Sequence, residues 1–387
     1  MTYDGMYAAS GARDVLTKKD FLSKLYYRVC CFVVFSVAAA ASFNGYYDKY
    51  RLYDTDPNGS TQGTNLFEPM VDGSAERPYV YRQLLPMLAN CVDRLVPEPT
   101  KDHLFARESH GTLFRRYLVS SPIVENRAYF LRYLIVYFMT FQFAWISVFA
   151  MFQLCKSAGY APAVAAFSAV VMILLMPYFL TGGGYYYDYP ELAFLAILAW
   201  MAIEFDWWWM IPVVALATWN KESLLLFIPT LYPLLRRRSS RIGALVATGI
   251  LGLISTAVYF VLRFRFQHNL GSTVETHLMD QMISIFHPGV AFHSEKTYGV
   301  FSIRTFNPLV MALIAWTAWR GWRLLPKAIQ RHAQIAAIIN IPLYFLFCAP
   351  LELRDLSMLY ITFLLLLAAN LSQWSGDRTW TATPRSA

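Results

Sequence analysis

The sequence predicts an all-α integral membrane protein of about ten transmembrane helices, and three observations carry that prediction. Hydrophobic residues make up 57% of the 387 and charged residues only 15%, a balance foreign to a water-soluble domain. Uncharged apolar runs long enough to cross a bilayer, roughly 20 residues, recur along the chain. The Lys and Arg residues behind the net charge of +8 come in short groups between those runs, which reads as orientation signals and excludes a nucleic-acid surface.

Six runs of span length carry no charge: 29–47, 133–155, 157–187, 242–262, 333–351 and 356–376. The first has no small-x-small pattern at its end and reads as a retained helix, not a cleaved signal. Four shorter runs, 192–203, 207–220, 223–235 and 306–319, have the length of helices that stop inside a cavity. Counting basic residues orients the set. With the N-terminus in the cytoplasm, the inner loops hold Lys18, Lys19, Lys24, Arg28, Lys156, Arg236, Arg237, Arg238, Arg241, Arg320, Arg323, Lys327 and Arg331, while the short outer loops hold only Lys221 and Arg354. Joining 207–235 into one kinked helix would set Arg236, Arg237 and Arg238 outside, so two separate helices are predicted.

The resulting organisation is a cytoplasmic segment 1–28, a single membrane domain 29–372 and a cytoplasmic tail 373–387, with long outer loops at 48–128 and 263–305. The first loop contains VYRQLLPMLANCVDRLV, whose apolar spacing predicts an amphipathic helix on the membrane surface, ended by Pro97 and Pro99. The cysteines, Cys30, Cys31, Cys91, Cys155 and Cys348, have no C-x-x-C spacing and indicate neither a zinc site nor a disulfide framework.

This topology collects the acidic and polar clusters on the outer face. They are Asp48 with Asp54 and Asp56; Asp188 and Glu191; Asn220, Lys221 and Glu222; the loop with His268, His277, His287 and His293; and Glu352, Arg354 and Asp355. Charged groups at the tips of membrane helices are expensive and mark a pathway or a site. Asp48, nearest the helix end, can serve as a base toward a hydroxyl, and Asp54 with Asp56 can hold a divalent cation, magnesium or manganese, against a phosphate. The same Asp-x-Asp followed by Pro57, Asn58 and Gly59 also suits an ordinary solvated turn.

In GGGYYYDYPE, Tyr187 and its neighbours offer faces for sugar rings, with Asp188 and Glu191 as acceptors for hydroxyls. The alternative is an interfacial tyrosine belt and a helix N-cap at Asp188 or Tyr189. In WNKES, two short helices leave Asn220, Lys221 and Glu222 recessed, where Lys221 can bind a phosphate and Glu222 orient a base; mutual neutralisation in a capping turn is the alternative. In ELRD, Arg354 can fork onto a phosphate or carboxylate, or pair with Glu352 or Asp355. In RPYVYRQLLP, Arg77 and Arg82 can meet lipid head groups or recognise a lipid-linked phosphate. The histidines are too scattered for a metal centre.

Taken in order, these segments resemble the GT-C class of polytopic glycosyltransferases. The resemblance rests on the acid-bearing first outer loop (Asp48, Asp54, Asp56) with its surface helix, the acidic turn after the aromatic run, and the polar tips WNKES and ELRD. It is more specifically similar to bacterial envelope proteins with RPYVYRQLLP-like and N-K-E-like segments. The resemblance implies a GT-C-like fold in a bacterial inner membrane, a polyprenyl-phosphate-linked sugar donor entering from the bilayer, and a glycan or lipid acceptor arriving from the aqueous side. It also implies Asp48 as base, with Asp54 as the second candidate, and Lys221, Arg354 or Arg82 neutralising the departing lipid phosphate. The pair of adjacent acids usual after the first helix of that class is not reproduced, since Lys49 follows Asp48. Two other classes fit the pattern less well: a polysaccharide polymerase or ligase relying on loop arginines such as Arg265 and Arg304, and a transporter, for which no internal repeat is found.

Overall fold

Lipid offers no partner for backbone N–H and C=O groups, so an apolar run has to fold as helix. The chain follows this rule throughout a computed structural model that describes residues 5–52, 66–109, 121–180, 184–272, 276–287, 294–303, 307–348 and 352–376, with residues 289 and 292. In order it contains α1 (Gly5–Tyr50), α2 (Phe67–Asp72), α3 (Leu84–Leu95), α4 (Glu98–Ser109), α5 (Arg127–Ser157), α6 (Pro162–Phe179), α7 (Asp188–Glu204) and α8 (Met210–Asn220). There follow α9 (Leu224–Leu235), α10 (Arg241–Arg265), α11 (Leu278–Phe286), strands β1 (Ser294–Thr297) and β2 (Val300–Ile303), α12 (Pro308–Trp322), α13 (Lys327–Phe347) and α14 (Tyr360–Ser375).

Each apolar run of the sequence overlaps one of these helices. Five stretches, Leu25–Tyr50, Arg127–Ser157, Pro162–Phe179, Arg241–Arg265 and Leu353–Ser375, are long and apolar enough to cross a membrane. The last joins a 3-10 segment, Leu353–Leu359, to α14. Long helices such as α10 leave Leu245, Val246, Leu253, Phe260 and Val261 exposed, a surface only lipid can cover at low cost. The chain is a helical membrane protein. Against the all-α expectation it also carries one small antiparallel hairpin, with Ser294 opposite Ile303. Its turn places Tyr298 and Gly299 at φ of 55° and 78°, the left-handed pair that matches strand twist.

The centre of the bundle is α7. Apolar on every side, it buries Leu192, Ala193, Phe194, Leu195, Ala196, Leu198 and Ala199, so neighbours surround it. Its longest contact is with α5, where Ala144 and Ser147 let the backbones approach and Ser147 Oγ donates to the Tyr189 carbonyl at 3.2 Å. The pair α8 and α9 packs on the other side of α7, backed by α10 and α13. Arg238, just past α9, donates to the Glu204 carbonyl and lies 3.8 Å from Asp206, so the far ends of α7, α8 and α9 meet. The chain therefore doubles back at Lys221, and α8 and α9 form a hairpin, not one kinked helix.

The first long loop builds α2, α3 and α4 against the start of α5. Arg132 reaches Asp72 at 3.0 Å, and Arg127 reaches Glu98 at 2.9 Å. The expected amphipathic helix is α3, which buries Leu84, Leu85 and Ala89 while Leu88, Val92 and Leu95 face outward. Pro97 follows its end and Pro99 opens α4. A latch ties the segment before α3 to the end of α10: Asn269 Nδ2 donates to the carbonyls of Gly73 and Ala75, both at 2.9 Å, and the Arg77 amide donates to Leu270 at 2.8 Å. Gly271 completes the latch at φ +92°, with so little room that a Cβ there would lie 2.6 Å from the Arg77 carbonyl oxygen.

Candidate functional site: a buried ionic cluster

Polar groups gather where α7 begins. Gly184 lets the chain pass Tyr50, since a Cβ there would lie 2.5 Å from that ring. The chain then buries Tyr185, Tyr186, Tyr187 and Tyr189, so these rings are core and not an interfacial belt. Asp188 is the first helical residue, not the cap. Its Oδ2 accepts the Tyr185 amide at 2.7 Å, and Tyr187 occupies the N-cap position without a side-chain bond. Pro190 falls in the first turn, where no helical N–H is missed, and Glu191 lies one turn above Asp188. Both acids sit at the positive end of the helix dipole.

The tip of the α8–α9 hairpin and the ELRD segment close over this turn. Lys221 Nζ lies 2.8 Å from Glu191 Oε2 and 3.5 Å from Asp355 Oδ1. Glu191 Oε1 accepts Ser223 Oγ at 3.0 Å and Ser357 Oγ at 2.7 Å. Arg354 lies 2.6 Å from Glu352 and 3.6 Å from Asp188, with its guanidinium 4.5 Å from the Tyr185 ring centre. Arg82 donates to Tyr187 OH, lies 3.4 Å from Glu222 and sits 4.6 Å from the Tyr187 ring centre. Tyr185 and Tyr187 stack on one another at 4.8 Å. Asn220 Nδ2 donates to the Tyr187 carbonyl at 3.0 Å, and Asn340 Nδ2 holds the Asp355 carbonyl at 2.8 Å.

The structure thus unites Arg82, Tyr187, Asp188, Glu191, Asn220, Lys221, Glu222, Glu352, Arg354 and Asp355, drawn from distant parts of the sequence. Two nominated residues lie elsewhere. Asp48 is exposed near the end of α1, 3.7 Å from Lys296 of β1, because Tyr46, Tyr47 and Tyr50 take the inward face. Arg77 donates to the Gly271 carbonyl at 2.6 Å and belongs to the latch. Asp54, Asp56 and His293 lie outside the described residues. Among the described residues no group of three His, Cys, Asp or Glu side chains is placed to hold a metal ion. His268 and His287 are exposed, and His277 pairs with Asp280 at 3.4 Å.

Sequence reasoning missed Ser223, Ser357 and Asn340. Asn340 was visible as a lone amide inside an apolar run, and both serines adjoin segments already singled out. Carboxylates outnumber cations in the cluster, and burial pushes the Glu352 carboxyl upward against the pull of Arg354.

The network is incomplete. Arg82 Nε, Arg354 Nε and Arg354 Nη1 have no hydrogen-bond acceptor, and Asp188 Oδ1, Asn220 Oδ1 and Glu222 Oε2 have no donor. A half-satisfied buried network is costly unless something else completes it. No protein-family model, curated protein or solved structure matches this chain. The geometry of the cluster therefore has to carry the functional argument.

Proposed function

We propose that the chain is a membrane glycosyltransferase that moves a sugar from a polyprenyl-phosphate-linked donor to a glycan or lipid acceptor on the non-cytoplasmic face of a bacterial inner membrane, with ten spans and a GT-C-like fold. The observation that carries this reading is the mixed character of the orphaned atoms. Arg82 Nε and Arg354 Nε await an acceptor, while Asn220 Oδ1 and Glu222 Oε2 await donors; Arg354 Nη1 and Asp188 Oδ1 face each other only at 3.6 Å. A sugar phosphate is complementary to both kinds of group: its phosphate oxygens accept from arginine and a sugar hydroxyl donates to Asn220 Oδ1. The stacked Tyr185 and Tyr187 add ring faces of the kind sugars pack on.

Depth supports a lipid-borne donor. The helices α8 and α9 have 11 and 12 residues. At about 1.5 Å per residue each extends under 20 Å, well short of a hydrocarbon core of about 30 Å. With the Arg236–Arg238 end in the cytoplasm, the cluster opens below the outer surface, within reach of a phosphate carried by a membrane lipid. Arg354 and Arg82, with Lys221 behind them, would stabilise the phosphate as it departs.

The test uses full-length protein in proteoliposomes supplied with undecaprenyl-phosphate-linked hexoses and pentoses and an envelope glycan and lipid extract as acceptor. Sugar transfer is expected, and undecaprenyl phosphate is expected to raise the thermal midpoint of the wild type but not of Arg82→Gln. Absence of both transfer and protection across the donor panel would sink the reading, and substrate-dependent uptake in the same vesicles would replace it with transport.

A further inference from the structure

We infer that Glu222 is the general base that accepts the proton of the acceptor hydroxyl, an assignment that rests on the glycosyltransferase reading. Five carboxylates line the cluster, and their surroundings separate them. Glu191 has both oxygens occupied, one by Lys221 at 2.8 Å and the other by Ser223 and Ser357. Glu352 faces Arg354 at 2.6 Å, and Asp355 faces Lys221 at 3.5 Å. Asp188 has one oxygen tied to the Tyr185 amide and the other 3.6 Å from Arg354, and its side chain is 3% exposed.

Glu222 joins an oxygen that no group of the cluster occupies to the most exposed side chain of the five, although that oxygen is itself enclosed. Its Oε1 lies 3.4 Å from Arg82 and its Oε2 has no partner. The side chain is 25% exposed, against 17% for Asp355, 11% for Glu352, 8% for Glu191 and 3% for Asp188. Asp48, exposed and paired with Lys296, has no contact with any of these groups. The turn between α8 and α9 thus holds a partly exposed carboxylate at the edge of the cluster while Arg354, whose Nε has no acceptor, lies deeper. A base on the rim and a phosphate site below it is the order a single displacement requires when the acceptor arrives from water and the donor from lipid.

In that step the acceptor oxygen forms a bond to the anomeric carbon of the sugar. The bond from that carbon to the phosphate oxygen breaks, and its electron pair leaves with the polyprenyl phosphate. The acceptor proton passes to the Glu222 carboxylate, whose partly exposed side chain returns it to water after transfer. Arg82, bonded to the Tyr187 hydroxyl and close to Glu222, spans the two halves of the reaction.

The test compares Glu222→Gln, Glu222→Asp and wild type in the proteoliposome assay, with undecaprenyl phosphate as the binding probe. Glu222→Gln is expected to lower kcat by roughly 10²–10⁴-fold while KM for the lipid-linked donor and protection by undecaprenyl phosphate stay at wild-type values; Glu222→Asp should recover part of the rate. Wild-type kcat in Glu222→Gln overturns the assignment, as does loss of transfer in Asp48→Asn with transfer surviving in Glu222→Gln. Loss of undecaprenyl phosphate protection with kcat intact also overturns it, since Glu222 would then be a binding group. These outcomes presuppose transfer by the wild type; its absence would strike the glycosyltransferase reading itself, not the choice of base.

Discussion

Two ionic networks in this molecule differ in one respect that matters. From the end of α3 to the start of α5, half-buried Lys101 lies 3.0 Å from Asp93 and 2.8 Å from Glu98, and exposed Arg127 reaches Glu98 at 2.9 Å and also Asp102, a network open to water along one side. At the mouth of α7, Arg354 and Lys221 stand among carboxylates with almost no contact with water, and several of their neighbours lack partners. Surface pairs of the first kind exchange one good solvation for another and contribute little. Charges of the second kind have been taken out of water without full compensation, so their retention points to a ligand and not to stability.

The comparison is most severely tested at Arg354. Arg354→Gln leaves Asp188 and Glu352 buried without their cation, and removal of one partner of a buried pair costs about 3–5 kcal/mol. A large fall in thermal midpoint in detergent, with loss of undecaprenyl phosphate protection, is expected; a change no larger than that of a surface variant would erase the distinction. A middle effect is expected at the latch. Asn269→Ala removes two hydrogen bonds to the segment that leads to Arg82, a loss of about 1–3 kcal/mol, and should raise the KM for the lipid-linked donor more than it lowers kcat. The smallest effect belongs to Lys101→Ala, for which thermal midpoint, binding and transfer should all stay within error of wild type.

Much of the site was legible because its parts are local. The short runs either side of WNKES announced a recessed turn, and YYYDYPE announced a helix start rich in acids and rings. What periodicity cannot give is which distant segments meet. Lys221 finds Asp355 across 134 positions, and Arg82 finds Glu222 across 140, and no local pattern encodes those distances. Asp48 shows a different failure. Proximity to a helix end suggested a role, yet Phe43, Tyr46, Tyr47 and Tyr50 already mark an inward stripe at helical spacing, which leaves Asp48 on the outward side. That information was present in the sequence. Tyr187 and its neighbours erred the same way in one respect, since an aromatic run reads equally as belt or core until the packing around α7 is known.

The brevity of α8 and α9 bears on what the protein will accept. Under the proposed function, a tip that ends about 10 Å short of a full span turns the cluster into the floor of a well. Beside Glu222 stands Arg82, its guanidinium 3.4 Å from that carboxylate and 5.4 Å from the Tyr79 ring centre. A hydroxyl would reach that depth on an arm long and slim enough to descend from the surface, which favours unbranched chain ends and single lipid-borne sugars over branch points. Selection among acceptors would then be set by the length of two helices.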